Sequence, residues 1–223
     1  GAGTSGTMMA NHLRHKLYKE QWKITIVDQY KTHYYQPGFL FLPFDIYTEK
    51  QVKKVGKKFI PKDVVYIQKK IEQIFPEENK VQLEDETLYY DVLIVATGSK
   101  IAPEETSGLL GPLWKKDIFD FYTYEGALAL RDKLRNWEGG KLVVHITEMP
   151  IKCPVAPLEF SFLADDYFRK KGIRDKVDIT YVTPLSGAFT KPTCTTALNY
   201  LLKEKDIKIE IDFAIESVDN ETK

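Results

Sequence analysis

The opening stretch "GAGTSGTMMANHLRHKL" (residues 1–17) places glycines at positions 1, 3 and 6, the G-x-G-x-x-G spacing of a dinucleotide-binding turn. That spacing carries meaning only between a strand and a helix. The helix is signalled by Met8, Met9, Leu13 and Leu17, apolar at helical spacing. The next run, "KITIVD" (residues 23–28), alternates as a strand does and ends in Asp28, twenty-two residues after Gly6. The fingerprint needs an acid about 20 residues on, where its carboxylate takes the ribose hydroxyls. The three glycines serve different physical ends. Gly1 permits the tight turn, Gly3 lets the backbone approach the pyrophosphate, and Gly6 lets helix and strand pack closely. The helix N-terminus then turns unpaired N–H groups toward the phosphates. The strand that the fingerprint places ahead of Gly1 is absent from the sequence, so the natural start is expected earlier.

Working outward, "VVYIQKKIEQIFPEENKVQLEDETLYYDVLIVATGSK" (residues 64–100) predicts a strand, a hairpin turning near Glu77 to Asn79, and a buried strand "VLIVATG" (residues 92–98). Residues 141–182 predict a second strand–helix–strand unit: "KLVVHI", then "APLEFSFLADDYFRKKG", then "VDITYVT". The closing "KDIKIEIDFAIESVDNETK" (residues 205–223) echoes the earlier "VVYIQKKIEQIFPEENK", an internal repeat that fits tandem units. The expected fold class is therefore α/β, with two tandem Rossmann-like dinucleotide-binding-type domains over residues 1–110 and 111–223. The second is expected to be incomplete and the chain truncated at both ends.

Composition narrows the function classes. Thirty-two basic residues balance thirty-two acidic ones among 223, which gives no support to nucleic-acid binding. Lys53, Lys54, Lys57 and Lys58 cluster and read as a solvated face. No apolar stretch approaches the ~18 residues of a membrane helix. Two cysteines cannot build a disulfide framework or a four-ligand zinc site. His12 and His15 read as one solvated helix face, and no metal site is expected.

The second unit lacks its nucleotide chemistry. A pyridine-nucleotide site needs glycines after "KLVVHI" and a charged residue after the next strand. The sequence instead has Thr147, Glu148, Met149 and Pro150, and later Thr183, Pro184 and Leu185. Both signals are missing together, so the scaffold is expected without its nucleotide. In place of the glycines stands Cys153, beside Lys152 and near the start of the predicted helix. A helix dipole and an adjacent cation both favour thiolate over thiol. Glu159, six residues on, is about one and two-thirds turns further along and is the candidate proton relay. The plainer readings stay open: an isolated cysteine is often a small buried hydrophobe, and Glu159 a solvated helix residue. Cys194, in "KPTCTTALNYLL" (residues 191–202), is placed at the start of another helix.

These residues resemble the sulfide:quinone oxidoreductases, with the flavoprotein subunit of flavocytochrome c sulfide dehydrogenase as a relative. The resemblance covers nearly the whole chain. It rests on "GAGTSG", on "HYYQP" (residues 33–37), on "VATG", and most specifically on "PIKCPVAP" (residues 150–157) with "ADDYFRKKG" (residues 164–172). The family pattern near the cysteine is similar to V-K-C-x-x-A-P. The resemblance implies FAD as cofactor, with Gly1, Gly3, Thr4, Ser5, Gly6 and Asp28 on its ADP half. It implies Gln36 on the flavin side, Ile71 meeting the adenine through its backbone, and Thr97 and Gly98 close to the cofactor. It makes Cys153 one of two redox cysteines, its partner lying in a C-terminal region beyond these residues.

The implied reaction oxidises sulfide. Sulfide opens a sulfur-bridged cysteine pair, a persulfide forms, two electrons pass through the flavin to a quinone, and sulfur leaves as polysulfide or on an acceptor thiol. The implied setting is peripheral, on a prokaryotic plasma membrane or the mitochondrial inner membrane, with a possible homo-oligomer. Some members carry a further cysteine in a stretch similar to "DFYTYEGAL" (residues 120–128). Tyr122 stands there in this chain, which therefore resembles a two-cysteine member. The aromatic loop "HYYQPGFLFLPF" (residues 33–44) is expected to pack against flavin and core, quinone contact being the other reading. Three rivals stay open: the same flavoprotein passing electrons to a cytochrome, a type-II NADH:quinone dehydrogenase, and an FAD- or partner-binding module without turnover. The missing second glycine turn speaks against the NADH reading.

Overall fold

A computed structural model describes residues 1–222. The chain divides into two compact units, residues 1–38 with 48–100, and residues 39–47 with 101–223.

The first unit begins with helix α1 (Thr4–Lys16), whose last turn carries Arg14, His15 and Lys16, cations that complement the negative end of the helix dipole. Strand β1 (Thr25–Val27) follows, then β2 (Thr32–Tyr34). The short helix α2 (Glu49–Val52) starts on a capping box between Thr48 and Gln51 and leads into β3 (Lys53–Val55). Strand β4 (Val65–Ile67) runs parallel to β1, and β2 pairs antiparallel with β3. Strands β5 (Ile71–Phe75), β6 (Lys80–Leu83) and β7 (Thr87–Tyr89) form an antiparallel sheet. The expected turn of that hairpin is present: a 3-10 turn over Pro76–Glu78 closed by Asn79 in the left-handed region. Ala2, Ala10, Ile26 and Val64 form the buried centre under α1.

One expected strand is not there. Residues 91–98, the "VLIVATG" run included, join no sheet, and Val92 and Val95 are 67% and 62% exposed. Apolar β-branched residues favour a strand only where ladder partners lie alongside. Among the described residues no strand pairs with this run.

In the second unit, helix α3 (Tyr124–Asn136) starts at Thr123, whose hydroxyl accepts the Gly126 N–H at 3.0 Å. Strand β8 (Gly140–His145), helix α4 (Ala156–Lys171), strand β9 (Val177–Val182), helix α5 (Pro192–Glu204) and strand β10 (Ile207–Glu210) follow. The three strands form a parallel sheet in the order β10-β9-β8. Parallel pairing needs crossovers, which α4 and α5 supply. Ile179 and Tyr181 on the central strand are fully buried with Leu158, Ala164 and Phe168 of α4.

The sequence echo holds as far as a parallel pairing: β10 lies parallel to β9 as β4 lies parallel to β1. Among the described residues beyond β10 no second hairpin is formed, and the single bridge there joins Ser217 to Ser107. Residues 39–47, counted on sequence grounds with the first unit, pack with the second. Leu40 and Phe44 enter its core, the Phe44 ring lies tilted against Phe160 with ring centres 4.9 Å apart, and Asp45 accepts two hydrogen bonds from Arg135. The aromatic loop is thus split, with its Phe39–Phe44 part serving as core.

Candidate functional site

The glycine turn of the first unit is held on three sides. A Cβ on Gly1 would overlap the carbonyl oxygen of Ala96 and come within 3.1 Å of the Thr97 Cα, so only glycine lets the turn lie against that segment. A Cβ on Gly6 would in turn overlap the Gly1 carbonyl oxygen, which locks the first turn of α1 onto the loop before it. Between them, Ala2 is clamped at both backbone groups. Its N–H donates to Asp28 Oδ2 at 2.6 Å, and its carbonyl accepts from His33 Nδ1 at 3.2 Å. A carbonyl can only accept, so the Nδ1 of His33 carries the proton. His33 is itself braced by Phe59, ring centres 4.5 Å apart.

Gly3 differs from its neighbours. It is exposed, it is the residue before α1, and a Cβ there would meet nothing within 4 Å. Thr4 and Ser5 are exposed beside it. The first intrahelical bond is Thr7 N–H to the Gly3 carbonyl at 3.0 Å, so the N–H groups of residues 4–6 have no helical acceptor. No acidic residue lies in that first turn to occupy them. This is the donor set that a pyrophosphate takes, with open space in front of it. Asp28, at the end of β1, accepts the Ala2 N–H on one oxygen and the Tyr30 N–H, at 2.8 Å, on the other. Each oxygen keeps a second lone pair for a ribose hydroxyl. The residues therefore fit a dinucleotide.

The contacts gather Gly1, Gly3, Thr4, Ser5, Gly6, Asp28 and Thr97. Gly98 follows Thr97 with φ 75°, the left-handed backbone that glycine takes without strain. Gln36 and Ile71 are placed by other elements: Gln36 opens a 3-10 turn and is exposed, and Ile71 begins the edge strand β5 opposite Leu83. His33 was visible in sequence only as part of "HYYQP". Nothing in its spacing signals that it holds the turn.

In the second unit Cys153 lies in the loop after the carboxyl end of β8, three residues before α4 begins. Its thiol is free and exposed, and its backbone has φ 53°, uncommon for a residue with a Cβ. Its carbonyl accepts the Ala156 N–H at 3.1 Å and the Tyr122 hydroxyl at 3.2 Å. Glu159 is exposed in the first turn of α4. The two meet electrostatically at one group. Burial, and then the negative charge that Cys153, Tyr181 and Glu159 can carry, push the Tyr122 phenol far above the usual tyrosine range. Cys194 is exposed in the first turn of α5. His145, the last residue of β8, has a buried Nε2 without a hydrogen-bond partner, and burial pulls its pKa down.

No protein-family model matches the chain. The mitochondrial sulfide:quinone oxidoreductase of Dictyostelium discoideum is 30% identical over 209 residues, covering 93% of this chain and 46% of that protein. The crystal structure of the sulfide:quinone oxidoreductase from Aquifex aeolicus matches with a TM-score of 0.78 at 24% identity, over 98% of this chain and 51% of that one. The structure of NDH2 from Plasmodium falciparum in complex with NADH matches at 0.72 and 16% identity, over 99% and 48%, which shows a shared fold. The chain spans about half the length of the curated relatives it matches.

Proposed function

The chain belongs to the sulfide:quinone oxidoreductase family, and from that premise we propose that it holds the flavin nucleotide and supplies one sulfur-handling cysteine of an enzyme that oxidises sulfide and reduces a quinone. The cofactor is FAD. When bound, FAD accepts the electron pair from sulfur and passes it on. Gly3, Thr4, Ser5 and Gly6 offer backbone N–H groups to its pyrophosphate, and Asp28 takes the adenosine ribose. Gln36, Ile71, Thr97 and Gly98 are assigned to it by the family resemblance.

The observation that carries the sulfide reading is the exposed Cys153 thiol, standing in the loop after β8 where a pyridine-nucleotide turn would need glycines. As thiolate it is the nucleophile that exchanges sulfur, and a persulfide on it is the product of attack by sulfide on a bridged sulfur. Glu159 takes the proton relay. Quinone is the acceptor, and the enzyme works at the surface of a mitochondrial inner or prokaryotic plasma membrane. Among the described residues no helix is long and apolar enough to cross a membrane.

Anaerobic addition of sulfide bleaches the flavin absorbance in this reading, and NADH does not. Cys153→Ala retains the yellow flavin and loses bleaching by sulfide. Bleaching by NADH alone, or an alanine variant that oxidises sulfide normally, would overturn it.

A further inference from the structure

Cys153 is held in a backbone conformation that its own side chain disfavours, and the groups that hold it form a rigid chain of contacts. Thr123 anchors the segment before α3: its N–H donates to Asp120 Oδ1 at 2.7 Å, while its hydroxyl caps the helix. The ring of Tyr122 stacks on Phe121 with centres 5.0 Å apart, Phe121 stacks on Phe160 of α4 at 4.8 Å, and Phe160 meets Phe44 at 4.9 Å. An aromatic row rooted in the core thus fixes the ring, and the α3 cap fixes the backbone beside it. At the end of this row the Tyr122 hydroxyl reaches the carbonyl of Cys153. That carbonyl is gripped from its other side by the Ala156 N–H, the turn that leads into α4.

We infer that Tyr122 is a positioning residue for Cys153: its hydroxyl pins the Cys153 carbonyl, which keeps the residue in its left-handed backbone and presents the thiol outward. The inference rests on the reading of Cys153 as a sulfur-handling residue for its consequence, though not for its geometry. Two further facts suit the role. A non-glycine residue in the left-handed region relaxes when its restraint is removed, so a single hydrogen bond has leverage there. The phenol is half-buried and lies near groups that can carry negative charge, and both raise its pKa, so it stays protonated and remains a donor throughout the working pH range. Tyr122 therefore acts by holding and does not exchange a proton with the thiol.

The test uses Tyr122→Phe, which removes the hydroxyl and keeps the stacked ring. Iodoacetamide is added to the folded protein, and mass spectrometry follows alkylation of the Cys153 and Cys194 peptides in the same tube. Cys194, on α5, reports any general loosening of the unit. In the variant the plateau rate at Cys153 falls about two- to fivefold, the upper figure being about 1 kcal/mol at 1.4 kcal/mol per factor of ten. Cys194 is unchanged, and the midpoint of the Cys153 pH profile stays where it was. Sulfide turnover shows a matching fall in kcat with KM unchanged.

Equal Cys153 rates in the two proteins, or a change at both cysteines, would overturn the inference, as would a displaced pH midpoint. The underlying sulfide reading fails separately. If Cys153→Ala still oxidises sulfide while Tyr122→Phe slows alkylation at Cys153 alone, the positioning stands and the catalytic assignment falls.

Discussion

Replacing Gly3 by alanine separates a glycine kept for a ligand from one kept for the fold. Gly3 has φ −70° and ψ −165°, which any residue adopts, and an added Cβ meets nothing within 4 Å. Two small effects on stability oppose each other. Alanine reduces the freedom of the unfolded chain, a gain of about 0.4–1 kcal/mol. It is a poorer N-cap than glycine, a loss of about 0.5–1 kcal/mol. The net change is within about 0.5 kcal/mol, or about 2 °C in melting temperature for a chain of this length. In the proposed function the same methyl stands where the pyrophosphate approaches the backbone. Crowding there costs about 1–3 kcal/mol, an increase of about 5- to 140-fold in the Kd for FAD. Gly6→Ala behaves in the opposite sense, because its Cβ overlaps the Gly1 carbonyl oxygen and the backbone itself must move. It loses about 1–3 kcal/mol of stability before any ligand is considered. Thermal unfolding of the apoprotein gives the first quantity and titration with FAD, followed by quenching of flavin fluorescence, the second. An unchanged Kd in Gly3→Ala would refute the placement of the pyrophosphate. A melting temperature as low as that of Gly6→Ala would refute the open space in front of Gly3.

Two further outcomes test the second unit. Asp165 is fully buried; burial alone would raise its carboxyl pKa, but hydrogen bonds from Arg169, Arg174 and Lys205 carry it below the usual carboxylate value. A depressed folded-state pKa adds stability that is fully present above the unfolded value of about 3.9 and is lost as pH falls through the folded one. Asp165→Asn is therefore expected to cost about 3 kcal/mol in urea unfolding at neutral pH, with the gap to wild type narrowing below about pH 4; a gap that ignores pH would contradict the ion cluster. Phe44→Ala removes a ring that packs tilted against Phe160 and lies 6% exposed in the core. It is expected to cost about 3–5 kcal/mol by the same assay, and a loss under about 1 kcal/mol would show that residues 39–47 do not belong to that core.

The local grammar of this protein is written along the chain. The glycine spacing, the apolar face of α4, the polar hairpin turn and the alternation in β9 each depend on neighbours within a few residues, so each can be read from a short window. The same holds for the absence of a second glycine turn and for the cysteine in its place. It does not hold for the methionines of α1, since Met8 and Met9 are exposed and the helix buries Gly6, Thr7 and Ala10 instead. The run at residues 92–98 shows where this stops. Its apolar, β-branched composition is that of a buried strand, yet a strand exists only through hydrogen bonds to another strand, and none lies alongside it among the described residues. Residues 39–47 mark the same limit, since their aromatic composition suits any core and says nothing about which one.

The holding groups lie outside that grammar altogether. His33 meets Ala2 across 31 positions and Tyr122 meets Cys153 across 31. By itself the sequence determined which residues could carry the chemistry: the glycines, Asp28 and Cys153, because turn geometry and side-chain type are local properties. Only the tertiary structure decided what holds them in place, because a hydrogen bond between distant segments depends on where the whole backbone carries its ends.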